Sequence, residues 1–261
     1  MNTRNVVSLD LSIGPYREFV DRIMALGKER VSSYVCVANV HMTIEAWRHA
    51  DFASVVNGAD LVTPDGMPLV KSLKLLHGIR QDRVAGMDLF PDLIAAAEKQ
   101  GLSVFFYGST EEVLERLLER VRCEHPALAI AGSYSPPFRP LSEEEDQTIV
   151  AGINASGAHL VMVALGCPKQ EQWMAAHRGQ IHAVMLGVGG AFPVYAGMQS
   201  RAPEWMQQYS LEWLYRLGQE PRRLFKRYLV TNSLFVALLV RNLAQKELTR
   251  IKSALLRRYS R

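Results

Sequence analysis

Residues Val104–Val121 read VFFYGSTEEVLERLLERV, and a change of period inside this stretch decides the fold class. Val104–Tyr107 is a short apolar run of strand type. Beyond Gly108-Ser-Thr110, the residues Val113, Leu114, Leu117, Leu118 and Val121 recur on one helical face. Ser109-Thr-Glu-Glu112 has the form of a capping box, in which a hydroxyl and a carboxylate satisfy the first free N–H groups of a helix. The same alternation extends in both directions. Tyr34–Ala38, Ala59–Val62, Leu128–Ala131, His159–Leu165 and Ala183–Val188 also read as strands. Ser142-Glu-Glu-Glu145 repeats the capping device ahead of Ile149, Val150 and Ile153. Buried strands alternating with amphipathic helices predict a Rossmann-like α/β fold, its mostly parallel sheet covered by helices on both faces.

In such sheets ligands bind beyond the carboxyl ends of the strands, so the residues just after each strand are the ones to weigh. They are Asn39-Val-His41, Thr63-Pro-Asp-Gly66, Gly108-Ser-Thr110, Gly166-Cys-Pro-Lys-Gln170-Glu171 and Gly187-Val-Gly-Gly190. Asp65 stands on a tight turn between Pro64 and Gly66, where a carboxylate of suitable pKa serves as a general base; P-D-G is also an ordinary turn sequence. Arg83 offers a planar, permanently charged fork for phosphate oxygens, although a surface arginine looks the same in sequence. Asn39 and His41 are placed to hold a sugar or an acceptor hydroxyl, with helix capping or packing as the plainer role for His41. Gln170 and Glu171 enter a helix whose N-terminus favours anions. Gly187, Gly189 and Gly190 allow a close backbone approach to a ligand, without the G-x-G-x-x-G spacing of a dinucleotide site. Ser133–Pro140 (SYSPPFRP) is a Pro-rich surface loop placed to act as a lid.

Past Phe192 the pattern is helical only. Trp205–Leu217 reads as one amphipathic helix, and Pro221 opens another that continues to about Tyr259. This divides the chain into an α/β body, 1–195, and a helical appendage, 196–261. From Arg216 onward twelve basic residues face only Glu220 and Glu247, an excess of ten positive charges in a chain whose net charge is +4. Trp205, Trp213, Tyr215, Phe225 and Tyr228 interleave with these cations. Rings beside Lys and Arg suit the headgroup level of an anionic membrane surface. Nucleic acid is the competing partner, but no motif for binding it accompanies the charge. Leu234, Phe235, Leu238 and Leu239 are apolar positions for lipid, the body or a second subunit, so a homo-oligomer is compatible with the pattern.

With 48% hydrophobic and 21% charged residues, the composition excludes a disordered chain. Cys36, Cys123 and Cys167 are far apart and form no CxxC, which fits a reducing cytoplasm rather than a disulfide framework. The opening MNTRNVVSLDLSIGPYREF lacks the apolar core of a signal peptide, and Leu234–Val240 (LFVALLV) is too short to span a bilayer. The expected location is the cytoplasm, peripheral on the inner face of the cell membrane. The chain contains neither a P-loop nor an Asp-x-Asp pair. For a nucleotide-sugar enzyme this points away from a metal cofactor, with arginines and helix dipoles stabilising a departing diphosphate.

Taken in order, ADLVTPDGMPLV, RVAGMDLF, VFFYGS, GCPKQEQW, GVGGAF, SRAPEW and LEWLYRLGQEPRRLFKRY resemble the motifs of the WecG/TagA/CpsF glycosyltransferase family, from about Tyr34 to Tyr228. The resemblance implies an inverting transfer from a UDP-sugar to a polyprenyl-diphosphate-linked sugar, in the synthesis of enterobacterial common antigen, wall teichoic acid, or capsular or exopolysaccharide. By this likeness Asp65 is the base, and Asn39, Arg83 and Gln170 line its pocket. Arg216, Arg223 and Arg227 of the appendage then contact the donor or acceptor diphosphate. Two positions depart from the pattern: Val37 replaces the family's usual Thr, and Pro193 its usual Asp. A hydroxyl and a carboxylate are thus missing where a sugar substituent would be read, and N-acetylmannosamine, its uronic acid and glucose stand as candidate donors. Two other readings use the same residues: a nucleotide-sugar sensor that binds without transfer, and a membrane adaptor that relies on the basic tail alone.

Overall fold

The computed structural model describes residues 1–259, apart from the side chains at 223, 250, 251 and 253–259. Its first elements are an antiparallel hairpin of β1 (Asn2–Val6) and β2 (Leu9–Ile13), which the sequence reading left without strands. β1 is exposed at every residue but Val6, so it shows no alternation to read. Helix α1 (Tyr16–Lys28) leads to the sheet strands β3 (Ser33–Ala38), β4 (Leu61–Pro64), β5 (Val104–Gly108), β6 (Ile130–Tyr134), β7 (Leu160–Ala164) and β8 (Val184–Gly187). All six are parallel, in the order β4-β3-β8-β7-β5-β6. The intervening helices are α2 (Val40–Arg48), α3 (Ala50–Asn57), α4 (Met67–His77), α5 (Gly86–Gln100), α6 (Glu111–Glu124), α7 (Glu143–Ala155), α8 (Lys169–Ala176) and α9 (Ala191–Tyr195).

Side chains alternate between two cores because successive strand residues point to opposite faces. Val35, Val37, Phe106 and Met162 join α1, α5 and α6 on one face. Tyr34, Cys36, Tyr107 and Val161 join α2, α3, α7 and α8 on the other. β4 is an edge strand, and its free side is covered by the hairpin, where Ser12 Oγ accepts the N–H of Val62 at 3.1 Å. β4 begins and ends two residues later than expected, which puts Pro64 at its last position and Asp65 immediately after it.

Two local readings are corrected. Ser109 does not cap α6: it adopts a left-handed φ of 66°, and Thr110 Oγ1 accepts the N–H of Val113 instead. The cause is the close approach of β5 to β7, where a Cβ on Gly108 (φ 111°) would lie 2.8 Å from the Ala164 backbone and the chain must turn one residue further on. The capping box at Ser142 and Glu145 forms as expected, with both reciprocal bonds made. The predicted helix over Trp205–Leu217 is instead two helices, α10 (Glu204–Gln208) and α11 (Glu212–Gln219), broken where Ser210 takes φ 66°.

Helix α12 (Pro221–Tyr259) opens at Pro221 as read. It returns along the body against α2 and α4. Phe235 and Leu238 are buried in the second core, with Leu234 and Leu239 packed beside them, so these four positions face the body. Among the described residues no helix is long and apolar enough to cross a membrane, and the three cysteines are free. Phe235→Ala removes a side chain only 3% exposed. It should cost about 3 to 4 kcal/mol, read as a lower urea midpoint for the whole chain.

Candidate functional site

The parallel register of β3 and β4 pairs Ala38 with Pro64, and this brings the next residues, Asn39 and Asp65, side by side. The backbone N–H of Asp65 donates to Ala38 O at 2.9 Å and to Thr63 O at 3.1 Å, which fixes the turn. The carboxyl is pushed up to about 7, chiefly by burial and then by the negative charge of Glu212. Arg216, Arg83 and the backbone N–H of Gly86 oppose the rise. The result is a carboxylate held at the proton affinity that base catalysis near neutral pH requires.

Arg83 lies in the segment before α5 and is largely buried. Its Nη2 donates to Asp88 at 2.9 Å and to Gln207 at 2.7 Å, and its Nη1 to Glu212 at 3.2 Å. Arg201 donates to the same Asp88 and Gln207. Glu212 also receives Arg216 at 3.0 Å. Two arginines of the appendage, two acidic groups and Gln207 thus close over Arg83. Arg216, Arg227 and Gly190 line a small slot of about 80 Å³ beside Arg201 and Glu212. The side chain of Arg223 lies outside the described residues.

Asn39, not His41, caps α2, its Oδ1 accepting the N–H of Met42 at 3.1 Å. His41 sits in the first turn, its Nδ1 buried and without a hydrogen-bond partner. Burial and the nearby Arg227 hold its pKa below the usual histidine value, more than Glu45 raises it. Gln170 is almost fully buried and clamped at both ends of its amide: Oε1 accepts from Gly166 N–H at 3.2 Å, and Nε2 donates to Glu171 at 2.7 Å. A Cβ on Gly187 would strike this amide at 2.8 Å, so the glycine there makes room for Gln170. Gly189 touches it as well. Glu171 is fully buried, and burial raises its carboxyl to about 7. Its carboxylate accepts from Gln170 and so holds that amide in place. Val37 is buried in the core, against Gly86.

A second cleft, about 570 Å³, opens at the ends of β5 and β7. Its walls include Tyr107, Pro136, Phe138, Lys169, Trp173 and His177. Trp173 stacks on Tyr107 at 4.3 Å. His177 is fixed by Asp146 at 2.8 Å and by the Trp173 carbonyl at 2.7 Å. Phe138, in the Pro-rich loop, is 88% exposed at the rim. The sequence reading took in Gly108, the Pro-rich loop and the turn before α8, but not the stacked pair. It also missed Asp88, Arg201, Gln207 and Glu212; the SRAPEW and LEWLYRLGQEPRRLFKRY motifs held the signal for Arg201 and Glu212. Among the described residues no three His, Cys, Asp or Glu side chains group as metal ligands.

Residues 4–249 match the model of the glycosyl transferase WecG/TagA/CpsF family. An N-acetylglucosaminyldiphosphoundecaprenol N-acetyl-beta-D-mannosaminyltransferase of Bacillus spizizenii (strain ATCC 23059 / NRRL B-14472 / W23) is 34% identical over 226 residues, covering 85% of this chain and 86% of that protein. The protein of the same name from Bacillus subtilis (strain 168) is 33% identical over 203 residues, 77% of each chain.

A carboxyl with a raised pKa weakens the fold once it must ionise. The penalty is absent below the unfolded value near 4, grows as pH rises to about 7, and is complete above that. Asp65→Asn should therefore stabilise the protein by about 1 to 3 kcal/mol at pH 8. The gain should vanish near pH 4, as followed by urea denaturation across pH.

Proposed function

The chain belongs to the WecG/TagA/CpsF family of glycosyl transferases, and from that premise we propose that it transfers N-acetylmannosamine from its UDP-linked form to an N-acetylglucosaminyl diphosphate carried on a polyprenyl lipid. It is a glycosyltransferase. The names of both relatives favour N-acetylmannosamine over its uronic acid or glucose. The observation that carries the reading is Asp65, held near neutral proton affinity beside Arg83 and Arg216 at the carboxyl edge of the sheet.

In this mechanism the acceptor hydroxyl gives its proton to Asp65 while its oxygen bonds to the anomeric carbon of the donor. The bond from that carbon to the β-phosphate oxygen breaks with its electron pair, on the face opposite the attack. The anomeric centre is inverted, and UDP leaves. Arg83, Arg216 and Arg227 meet the developing phosphate charge, the role in which fixed cations contribute most to catalysis. The second cleft suits the nucleoside. Its aromatic wall offers a stacking face, Lys169 in its lining is a cation for phosphate oxygens, and its size accords with a small-molecule site. Gln170, bonded at both ends of its amide, braces the turn before α8 and the Gly187–Gly190 segment on the same rim of the sheet.

The appendage supplies the membrane contact. Trp205, Tyr209, Phe225, Leu229 and Val236 are all more than half exposed, and they lie among Arg222, Lys226 and Arg241. Apolar side chains flanked by cations suit the headgroup layer of an anionic bilayer, which supports a position at the inner face of the cell membrane, where a lipid-linked acceptor is reached from the cytoplasm. The role of the diphosphate-binding cations in this reading makes transfer independent of a divalent metal.

Purified protein should transfer sugar from UDP-N-acetylmannosamine to a short-chain polyprenyl-diphosphate-GlcNAc, with full activity in EDTA. Asp65→Asn should reduce kcat by at least about a thousandfold while leaving UDP affinity within about twofold. Wild-type turnover in that variant refutes the base. Trp173→Ala should raise the donor KM by about tenfold, the loss of one aromatic contact of about 1.4 kcal/mol, with kcat little changed in steady-state assays.

A further inference from the structure

Glu212 has no part in the mechanism just described, yet it occupies the centre of its charges. One of its oxygens accepts from Arg83 Nη1 at 3.2 Å and the other from Arg216 Nη2 at 3.0 Å. Arg83 comes from the body and Arg216 from the same helix as Glu212, so the ion pair crosses the junction between appendage and body. The rest of the Arg83 fork is taken by Asp88 and Gln207, and Asp88 is shared with Arg201. Asp65 is faced by Glu212 and Arg216 from α11, by Arg83 from the segment before α5, and by the backbone N–H of Gly86 from α5 itself. Neither guanidinium donates a hydrogen bond to Asp65: both are turned to Glu212.

We propose that Glu212 is a positioning residue for the transfer: docked with the appendage, it holds Arg83 and Arg216 to itself and keeps them from pairing with Asp65. The physical reason is competition for two cations. An arginine in direct contact with a carboxylate stabilises its charged form and makes it a poor acceptor of a proton. With Glu212 in place, both guanidiniums are paired with one carboxylate other than Asp65, and Asp65 remains able to take the proton of a hydroxyl. Remove that charge, and Arg216 loses its carboxylate partner while Arg83 keeps only Asp88, so Asp65 lies in a more positive field. Because Glu212 rides on the appendage, docking of that segment and readiness of the base become one event. An enzyme whose appendage is lifted away would then hold an Asp65 already paired with Arg83. The proposal rests on Asp65 as the base.

The test is a titration of Asp65 in the full-length chain by carboxyl carbon NMR with labelled aspartate, the signal assigned by its loss in Asp65→Asn. Wild type should titrate at about 7. In Glu212→Gln the midpoint should fall by about one unit or more, and in Arg216→Gln it should rise. The acid limb of the kcat/KM profile should move with it in each variant. A midpoint that ignores Glu212→Gln overturns the proposal, as does movement of both variants in the same direction, which would report a rearranged site. Because the titration needs no substrate, it separates the two readings. Opposite shifts in the two variants, with a wild type that transfers no sugar, would overturn the transferase mechanism and leave the electrostatic coupling standing. Asp65-dependent transfer with an acid limb unmoved by Glu212→Gln would do the reverse.

Discussion

In a sheet whose strands all run parallel, each strand must be returned to the starting edge by a crossover, so every carboxyl end emerges on the same side. The candidate groups of this protein depend on that constraint. Asn39, Asp65, Gly108, the turn before α8 and Gly187–Gly190 come from five strands and are separated by as much as 150 residues in the chain. They share one rim because β4, β3, β8, β7 and β5 are neighbours in the sheet with a common direction. Register does the finer work. The pairing of Ala38 with Pro64 sets Asp65 against Asn39, and the tight contact of β5 with β7 leaves no room for a side chain at Gly108.

Upon this rim the appendage adds what the sheet does not: cations held in ion pairs across the junction with Arg83. A parallel sheet places backbone and short side chains accurately, and here its strand ends hold the candidate acids Asp65 and Glu171. Arg201, Gln207, Glu212 and Arg216 all arrive from beyond α9 and converge on Arg83. The candidate acid Asp65 thus comes from the sheet, and the charged groups around Arg83 come from both the body and the helical appendage.

How much of this could be read in the sequence follows the range of each interaction. The sheet strands and the capping box at Ser142 are local, and their periods and spacings are visible in a window of a few residues. Asp65 was visible for the same reason, as a carboxylate on a Pro-Gly turn after an apolar run. The Glu212 pair with Arg83 spans 129 positions, and the Tyr107–Trp173 stack joins β5 to α8; no local pattern encodes either. Ser109 misled because its capping sequence is complete, and only the approach of β7 shows why Thr110 takes the role. The break at Ser210 was hidden by an apolar face that continues across it.

The packing of α12 has a practical consequence. At about 1.5 Å per residue its 39 residues extend roughly 58 Å, and Phe235 and Leu238 seal the face of α2 and α4 near its midpoint. The helix is thus less a tail than a cover. Cutting the chain at the start of the basic stretch, the obvious way to obtain a membrane-free body for study, would strip the apolar lining from that face. Such a fragment would tend to aggregate for reasons unrelated to lipid, and its behaviour would report the loss of a lid on the core.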